Sequence, residues 1–286
     1  MTGHEKQKKY FEKIIKNKAL SHAYLFSGPE MIGKKTFALE LAETILGENF
    51  RQNPDFKFIA PKTAEGESKV YIEDIRDLKK FLSLRSYGDN KRIVIFDDAH
   101  FLTPEAANAL LKVLEEPPAG SVLFLISSVP DLIPATILSR CEEVRFTEAG
   151  KKEIEEYLAD KKLKKEDRDF LATLSAGKIG LIERLLKEGE MAEAKKAVDD
   201  LRKLFKAGIY EKMEYVKKLH EQTIKHSSGQ REYARLVDYW LYWISAHVRN
   251  SSKNEKIVKD LLSLHRLISQ PQFNHRLALE NFLVNL

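Results

Sequence analysis

Apolar residues in the first half of the chain come in short runs, separated by stretches with helical spacing. Three of these runs are unbroken, which predicts strands buried on both faces of a parallel sheet. They are "AYLF" (23–26), "RIVIF" (92–96) and "VLFLI" (122–126), and two further strands are predicted at 56–59 and 143–146. Helices are predicted between the strands at about 34–46, 72–85 and 104–116. Such alternation is typical of a doubly wound α/β fold, whose ligand site lies at the carboxyl ends of the strands.

The third predicted helix has clear boundary signals. Thr103 supplies a hydroxyl cap, Pro104 suits the first helical position, and Glu105 places an acid in the first turn. Pro117 and Pro118 then stop the helical pattern. This segment is therefore predicted as a helix with defined ends.

Strand patterns cease near residue 150, and helical spacing follows from there to residue 286. The pattern predicts an α/β core at 1–150, a small helical lid at 151–190 and an all-helical domain at 191–286. Breaks within the last of these are predicted near 225–230, 249–255 and 269–272.

The charge balance and the cysteine count narrow the class of protein. The net charge is +5, from 48 basic and 43 acidic side chains, which by itself is no argument for nucleic-acid binding. Cys141 is the single cysteine, so neither an intrachain disulfide nor a cysteine-rich zinc site can form. No run approaches the ~20 apolar residues that span a bilayer, and no signal-peptide pattern opens the sequence. We therefore expect a cytoplasmic protein with no membrane partner.

The stretch "SGPEMIGKKT" follows a predicted buried strand and opens a predicted helix. Gly28, Gly33 and Lys34 have the spacing of a phosphate-binding loop, in which backbone N–H groups and a lysine bind phosphates. The next residue should be a serine or threonine that binds Mg²⁺, but it is Lys35. Thr36 comes one residue late, which rotates a helical side chain by about 100°. The loop is predicted to be degenerate, unless it slips by one residue and recovers Thr36.

The predicted strand at 92–96 ends in two acids, Asp97 and Asp98. In ATPases of this build the first acid binds Mg²⁺, and a glutamate in the second position orients the attacking water. Asp98 is one methylene shorter than glutamate, and a misplacement of about 1 Å can cost on the order of 10²-fold in rate. Ser127 and Ser128 follow the next strand and are candidate sensors of the γ-phosphate. The acidic strand end is therefore compatible with a weak Mg²⁺ site at Asp97, and no other metal site is predicted.

Two longer stretches carry a resemblance to a known family. They are "HFLTPEAANALLKVLEEPP" (100–118) and "VLFLISSVPDLIPATILSRC" (122–141). Together with the acidic strand end, they resemble the clamp-loader branch of the AAA+ ATPases, whose motifs occur in this order. The resemblance rests on motifs over residues 3–146 and is only architectural beyond them. It implies an AAA+ P-loop core, followed by the lid and by an all-helical collar.

The resemblance also implies partners. Clamp loaders of this kind are pentameric, ring-like assemblies that use ATP to open a sliding clamp and place it on primed DNA. The implied partners are gamma/tau-like motor subunits and a delta-like subunit of DNA polymerase III, with the clamp and primer-template DNA contacted through the assembly. In this family the arginine of the S-R-C triplet, here Arg140 between Ser139 and Cys141, reaches the ATP of a neighbouring subunit. Its implied catalytic role is therefore in trans, because a guanidinium can stabilise charge on the transferring phosphoryl group.

Departures from the family pattern predict a subunit that does not hydrolyse ATP itself. Active members have Ser or Thr in place of Lys35, Glu in place of Asp98, and a lid arginine in a G-S-x-R segment. The corresponding stretch here is "GKIG", which puts Gly180 in place of that arginine. No cofactor is then required, and any binding of ATP or ADP is expected to be weak. Many relatives carry four cysteines after the phosphate-loop helix, whereas residues 47–56 have none, so no structural zinc is predicted.

Two other functions stay open. One is an ATP-hydrolysing motor subunit of the gamma/tau type that uses Thr36 for Mg²⁺, and the other is a stand-alone P-loop ATPase such as a helicase loader. Magnesium-dependent ATP turnover that is abolished by Lys34→Ala would favour the first. The S-R-C triplet argues against the second by resemblance.

Overall fold

The computed structural model describes residues 3–64, 67–84, 91–187, 189–225, 229–247, 252–268, 270 and 273–286. The chain forms two compact units, Met1–Glu153 and Ile154–Leu286. In the described ranges, all strands lie in the first unit, and the second unit is helical. No helix in these ranges is both long enough and apolar enough to cross a bilayer.

A five-stranded parallel sheet forms the centre of the first unit, with the strand order β2-β5-β6-β1-β7. The strands are β1 (Ala23–Ser27), β2 (Phe56–Ile59), β5 (Arg92–Phe96), β6 (Ser121–Ser127) and β7 (Glu142–Arg145), and β3 (Lys62–Ala64) and β4 (Glu67–Lys69) form a separate antiparallel hairpin. The five predicted sheet strands are confirmed. The three unbroken apolar runs are the three central strands, and all their residues are buried, as expected for a sheet covered on both faces.

Helices pack on both faces of this sheet. They are α1 (Glu5–Lys16), α2 (Lys34–Leu46), α3 (Ile72–Ser83), α4 (Pro104–Glu115) and the short α5 (Ala135–Leu138). On one face, Phe26 of β1 packs with Phe11 of α1 and Phe37 of α2. On the other face, Leu25 of β1 belongs to the cluster that contains Leu110 of α4. Consecutive residues of one strand thus contribute to opposite layers, which explains why the central strands are apolar throughout.

The three helices predicted for this unit are confirmed, including the start of α4. The Thr103 hydroxyl accepts a hydrogen bond from the backbone N–H of Ala106 at 3.2 Å, and Pro104 is the first helical residue. The pattern did not predict α1 or the β3–β4 hairpin. Each hairpin strand has three residues, which is too short to show an alternation of apolar and polar positions. Helix α1 is rich in lysine and buries Phe11 fully, so it has no long apolar pattern that would predict a helix.

The second unit contains the remaining helices. They are α6 (Lys151–Ala159), whose first residues belong to the first unit, α7 (Lys165–Ser175), α8 (Ile179–Lys187), α9 (Met191–Leu204), α10 (Ile209–Lys225), α11 (Gly229–His247), α12 (Ser252–Ile268) and α13 (His275–Val284). Of the predicted breaks near 225–230, 249–255 and 269–272, residues 226–228, 249–251, 269 and 271–272 lie outside the described residues, and 252–255 belong to α12 rather than to a break. The predicted division between lid and collar at residue 190 lies inside this unit and stays a prediction.

Aromatic residues of α11 form the centre of the second unit. Trp240 is fully buried, and its indole N–H donates to the carbonyl of Ala197 at 2.8 Å. The buried Tyr239 hydroxyl donates to Glu190 at 2.8 Å. These bonds tie α11 to α9 and to the residue that precedes it, so the two aromatics serve packing.

Candidate functional site

The turn between β1 and α2, predicted to be a phosphate-binding loop, contains three residues with positive φ angles. Gly28, Met31 and Gly33 have φ angles of 139°, 59° and 99°, and α2 begins at Lys34. The first N–H groups of a helix lack partners within the helix and carry partial positive charge, so this turn is suited to bind an anion. The sequence placed this loop correctly between a buried strand and a helix.

Gly28 is also required by the packing of the fold. A Cβ atom built at this residue would lie 2.2 Å from the carbonyl oxygen of Phe146. Phe146 follows β7, and its N–H donates to the carbonyl of Ser27 at 2.8 Å. The loop is therefore pressed against the end of a neighbouring strand, and glycine at this place has a structural reason that does not depend on phosphate.

Lys34 is buried within the loop. Its ammonium donates to the carbonyls of Gly28 and Pro29 at 2.6 and 2.5 Å. Burial lowers the pKa of Lys34 to about 8, and the carboxylates of Glu30, Asp98 and Asp97 oppose that shift. An ammonium has three N–H donors, so the two bonds within the loop leave one donor for a phosphate oxygen.

Lys35 forms an ion pair with the first acid of the strand end. Its ammonium lies 2.7 Å from Oδ2 of Asp97, whose side chain is 14% exposed, against 52% for Lys35. The same ammonium lies 4.8 Å from the ring centre of Phe58, on the adjacent part of the sheet. Mg²⁺ needs a near-octahedral set of oxygen ligands, and here a positive charge occupies the space beside the carboxylate. These residues therefore do not fit Mg²⁺, and the predicted weak Mg²⁺ site at Asp97 stays a prediction that this pairing disfavours.

Thr36 lies on a different face of α2. It is exposed and lines a groove with Glu40, Phe50 and Arg51. Asp97 is not among the residues that line this groove, and it is Lys35 that contacts Asp97, so the structure does not bring Thr36 toward that acid.

The second acid has an unusual backbone. Asp98 has φ 46° and ψ 52°, in the left-handed region, where a short 3₁₀ turn begins. Its carboxylate is half-buried, and burial, followed by the charge of Asp97, raises its pKa. Together with Glu30 and Asp97, it is one of three carboxylates whose charges act on the Lys34 ammonium.

The two candidate sensors are both engaged with protein groups. The buried Ser127 hydroxyl lies 3.3 Å from Nδ1 of His100 and accepts from the N–H of Val129 at 3.1 Å. The Ser128 hydroxyl donates to Glu30 at 3.3 Å. Burial lowers the pKa of His100, which favours its neutral form. Sequence reasoning missed His100, and its place two residues after the acidic pair was the available signal.

The S-R-C triplet directs its arginine outward. Ser139 caps the C-terminal end of α5, and its hydroxyl donates to the carbonyl of Thr136 at 3.1 Å. Cys141 packs against the core, and burial raises the pKa of its thiol to about 12. Arg140 lies between them with its side chain 35% exposed. The serine and the cysteine thus stabilise the turn that presents the guanidinium.

Three acceptors fix the orientation of Arg140. Its Nη1 donates to the Thr136 carbonyl at 2.8 Å and to the Ser139 hydroxyl at 3.4 Å, and its Nη2 donates to Oε1 of Glu115 at 2.8 Å. Glu115 is the last residue of α4, and sequence reasoning assigned it no role although it lies in the quoted "LEEPP" segment. The contacts of Arg140 in the described part of the chain do not reach Lys34, Lys35 or Asp97.

Comparison with known proteins identifies the family of this chain. Residues 3–150 match the family described as DNA polymerase III, delta subunit. The chain belongs to that family. It is a member of the clamp-loader AAA+ proteins and is close to the delta′ subunits.

The relatives of this clamp-loader chain are of more than one kind. It is 30% identical over 209 residues to the DNA polymerase III subunit delta′ of Pseudomonas aeruginosa, a match that covers 66% of this chain and 63% of that protein. It is 32% identical over 158 residues to subunit tau of Bacillus subtilis, covering 51% of this chain and 28% of tau. The chain thus spans less than two thirds of the length of each relative. These matches include both delta′ and tau subunits. They therefore do not distinguish a subunit that hydrolyses ATP from one that does not.

A solved structure shares the fold. A DNA polymerase III gamma subunit-related protein from Thermotoga maritima has a TM-score of 0.51 and 20% identity, with 96% of this chain and 97% of that chain covered. It supports an α/β core followed by a helical domain, as the sequence predicted.

The remaining predicted features of the clamp-loader chain concern the lid and zinc. In the "GKIG" stretch, Gly180 lies within α8, and the ammonium of Lys178 lies 5.5 Å from the ring centre of Tyr242. Among the residues that the structure describes, no group of three or more His, Cys, Asp or Glu side chains is placed to hold a metal ion. The absence of structural zinc stays a prediction.

Proposed function

We propose that this chain is a delta′-like stator of the clamp loader: it does not hydrolyse ATP but contributes Arg140 to the ATP site of a neighbouring motor subunit. The observation that carries the proposal is the ion pair between Lys35 and Asp97 at 2.7 Å. Lys35 stands where active members have the Ser or Thr that binds Mg²⁺, and Asp97 is the acid that binds Mg²⁺ in those members. The ion pair therefore joins two positions of the magnesium site.

The chemistry of ATP hydrolysis explains why this pair matters. In P-loop enzymes Mg²⁺ bridges the β- and γ-phosphates and neutralises the charge that develops on them, while another residue positions the attacking water. Here a monovalent ammonium is paired with Asp97, and the water-positioning glutamate is replaced by the shorter Asp98 in a left-handed conformation. Both changes act against turnover by this chain.

The geometry of Arg140 supports a role in trans. Its guanidinium is partly exposed and is oriented by three hydrogen bonds, so part of the entropy cost of ordering this side chain is met before a partner binds. A guanidinium at a transferring phosphoryl group is worth roughly 10³–10⁵ in rate in other NTPases. The partners that we propose are gamma/tau-like motor subunits and a delta-like subunit, with the clamp and primer-template DNA reached through the assembly.

The rival function is an active motor of the gamma/tau type. It requires Thr36 at the magnesium position, and the groove that Thr36 lines lies on another face of α2. This placement favours the stator.

ATP turnover by the purified chain tests the proposal. With Mg²⁺ and ATP, alone and mixed with the clamp and primed DNA, the chain is expected to show no turnover above that of its Lys34→Ala variant. Turnover that requires Mg²⁺ and is lost in Lys34→Ala would establish the motor and refute the stator.

A further inference from the structure

Asp97 has a charge partner of its own within the chain. At the end of β5 its carboxylate is largely buried, and the Lys35 ammonium lies 2.7 Å from one of its oxygens. A buried carboxylate needs a compensating charge, which a bound cation supplies in an ordinary phosphate-loop ATPase. In this chain the compensating charge is the ammonium of Lys35, a residue of α2.

The position of this ammonium is determined by two elements. Asp97 holds it from the end of β5, and the ring of Phe58 in β2 lies beneath it at 4.8 Å. β2 and β5 are neighbours in the sheet, with Phe58 opposite Ile95. The charge is therefore localised at the carboxyl ends of the strands, next to the residue that follows the phosphate-loop lysine.

The ammonium retains the capacity to bind an anion. One of its three N–H donors faces Asp97, which leaves donors for phosphate oxygens. A lysine ammonium binds phosphate as a compact point charge. Lys34 lies next to it in sequence and also retains one donor beyond its bonds to the loop carbonyls.

We infer that the Lys35 ammonium substitutes for the magnesium ion, so that this site takes a nucleoside diphosphate or triphosphate in its metal-free form. Mg²⁺ then contributes nothing to binding, because the cation that it would supply is already present and repels it. The inference rests on the proposed stator function, since both assume that Asp97 is paired with Lys35 and does not bind Mg²⁺. It concerns binding and not turnover, so each can fail without the other.

Nucleotide titrations with and without metal test the inference. The full chain is titrated with ADP by calorimetry, once with excess Mg²⁺ and once with EDTA. Its dissociation constants are expected to agree within about twofold. Lys35→Met removes the charge but keeps a similar side-chain length, and it is expected to weaken metal-free binding by about tenfold or more, the equivalent of one charge-assisted hydrogen bond.

Lys35→Ser provides the converse test, because it restores the hydroxyl that binds Mg²⁺ in active loops. For this variant, binding is expected to become stronger in Mg²⁺ than in EDTA. Thr36→Ala is the matched control on the other face of α2 and is expected to behave as the parent chain. Thermal unfolding of each variant shows whether the fold is retained.

Two results would overturn the inference. One is binding by the parent chain that Mg²⁺ strengthens by about tenfold or more, which would mean that the metal displaces Lys35. The other is a failure of the parent chain to bind ADP in either buffer. Neither result bears on Arg140, whereas magnesium-dependent turnover would refute the stator itself.

Discussion

Replacing Glu115 with glutamine removes the negative charge next to the Arg140 guanidinium and leaves the Arg140 side chain itself unchanged. Oε1 of Glu115 lies 2.8 Å from Nη2 of Arg140, and the two side chains are 48% and 35% exposed. Glutamine has the same shape and keeps a carbonyl acceptor, so the variant removes the charge alone. The bonds from Nη1 of Arg140 to the Thr136 carbonyl and to the Ser139 hydroxyl are unaffected.

The exposure of the pair sets the expected magnitude. Exposed ion pairs contribute about 0.2–1 kcal/mol, because water screens them and two long side chains are ordered. If all of this is lost from the transition state in the neighbouring site, the rate falls by about 1.4- to 5-fold, since 1.36 kcal/mol is a factor of ten. Glu115 is thus expected to position Arg140. The change in rate when the charge of Glu115 is removed is small beside the factor of roughly 10³–10⁵ in rate that a guanidinium at the phosphoryl group can supply.

The assay is the clamp- and DNA-stimulated ATPase of the reconstituted loader. Glu116→Gln is the matched control, because Glu116 is the adjacent exposed glutamate at the end of α4. Glu115→Gln is expected to reduce the rate by a few-fold, Glu116→Gln to leave it unchanged, and Glu115→Gln to have no further effect in an Arg140→Ala background. A loss of more than about 10²-fold, far beyond an exposed pair, or an equal loss for both glutamates would refute this reasoning.

Two further predictions concern the stability of the first unit. Gly28→Ala places a Cβ 2.2 Å from the Phe146 carbonyl at φ +139°, so it is expected to lower the melting temperature without any nucleotide, and an unchanged melting curve would contradict the packing argument. Asp55→Ala leaves the guanidinium of Arg92 buried without its carboxylate, which lies 3.5 Å away, and is expected to cost about 3–5 kcal/mol in chemical denaturation. A cost below about 1 kcal/mol would show that this buried pair does not stabilise the edge of the sheet.

Local sequence patterns were sufficient for the framework of the site. The apolar runs predicted the five sheet strands, and the glycine spacing placed Lys34 at the start of α2, as observed. These features depend on neighbours in sequence, through strand burial, helix capping and turn conformation. The family resemblance then identified the clamp-loader class, which the matching family supports.

The pairings within the site could not be predicted in the same way. Lys35 and Asp97 are brought together by the crossing of α2 over β5, and Glu115 meets Arg140 only when α4 and α5 pack. Such contacts depend on tertiary distances between residues that are far apart in the chain. The sequence showed that Lys35 was out of pattern but did not indicate which residue would pair with it.

The role of Arg140 is tested most directly by the ATPase of the reconstituted loader with Arg140→Ala. Arg145→Ala is the matched control, since Arg145 is another exposed arginine of the first unit and pairs with Glu143. Gel filtration verifies that each variant assembles. We expect Arg140→Ala to slow the neighbouring ATP site by roughly 10³-fold or more, so that the loader loses the share of the stimulated rate that this site contributes with assembly intact, and Arg145→Ala to leave the rate unchanged. An unchanged rate for Arg140→Ala in an intact assembly would contradict the trans-acting role.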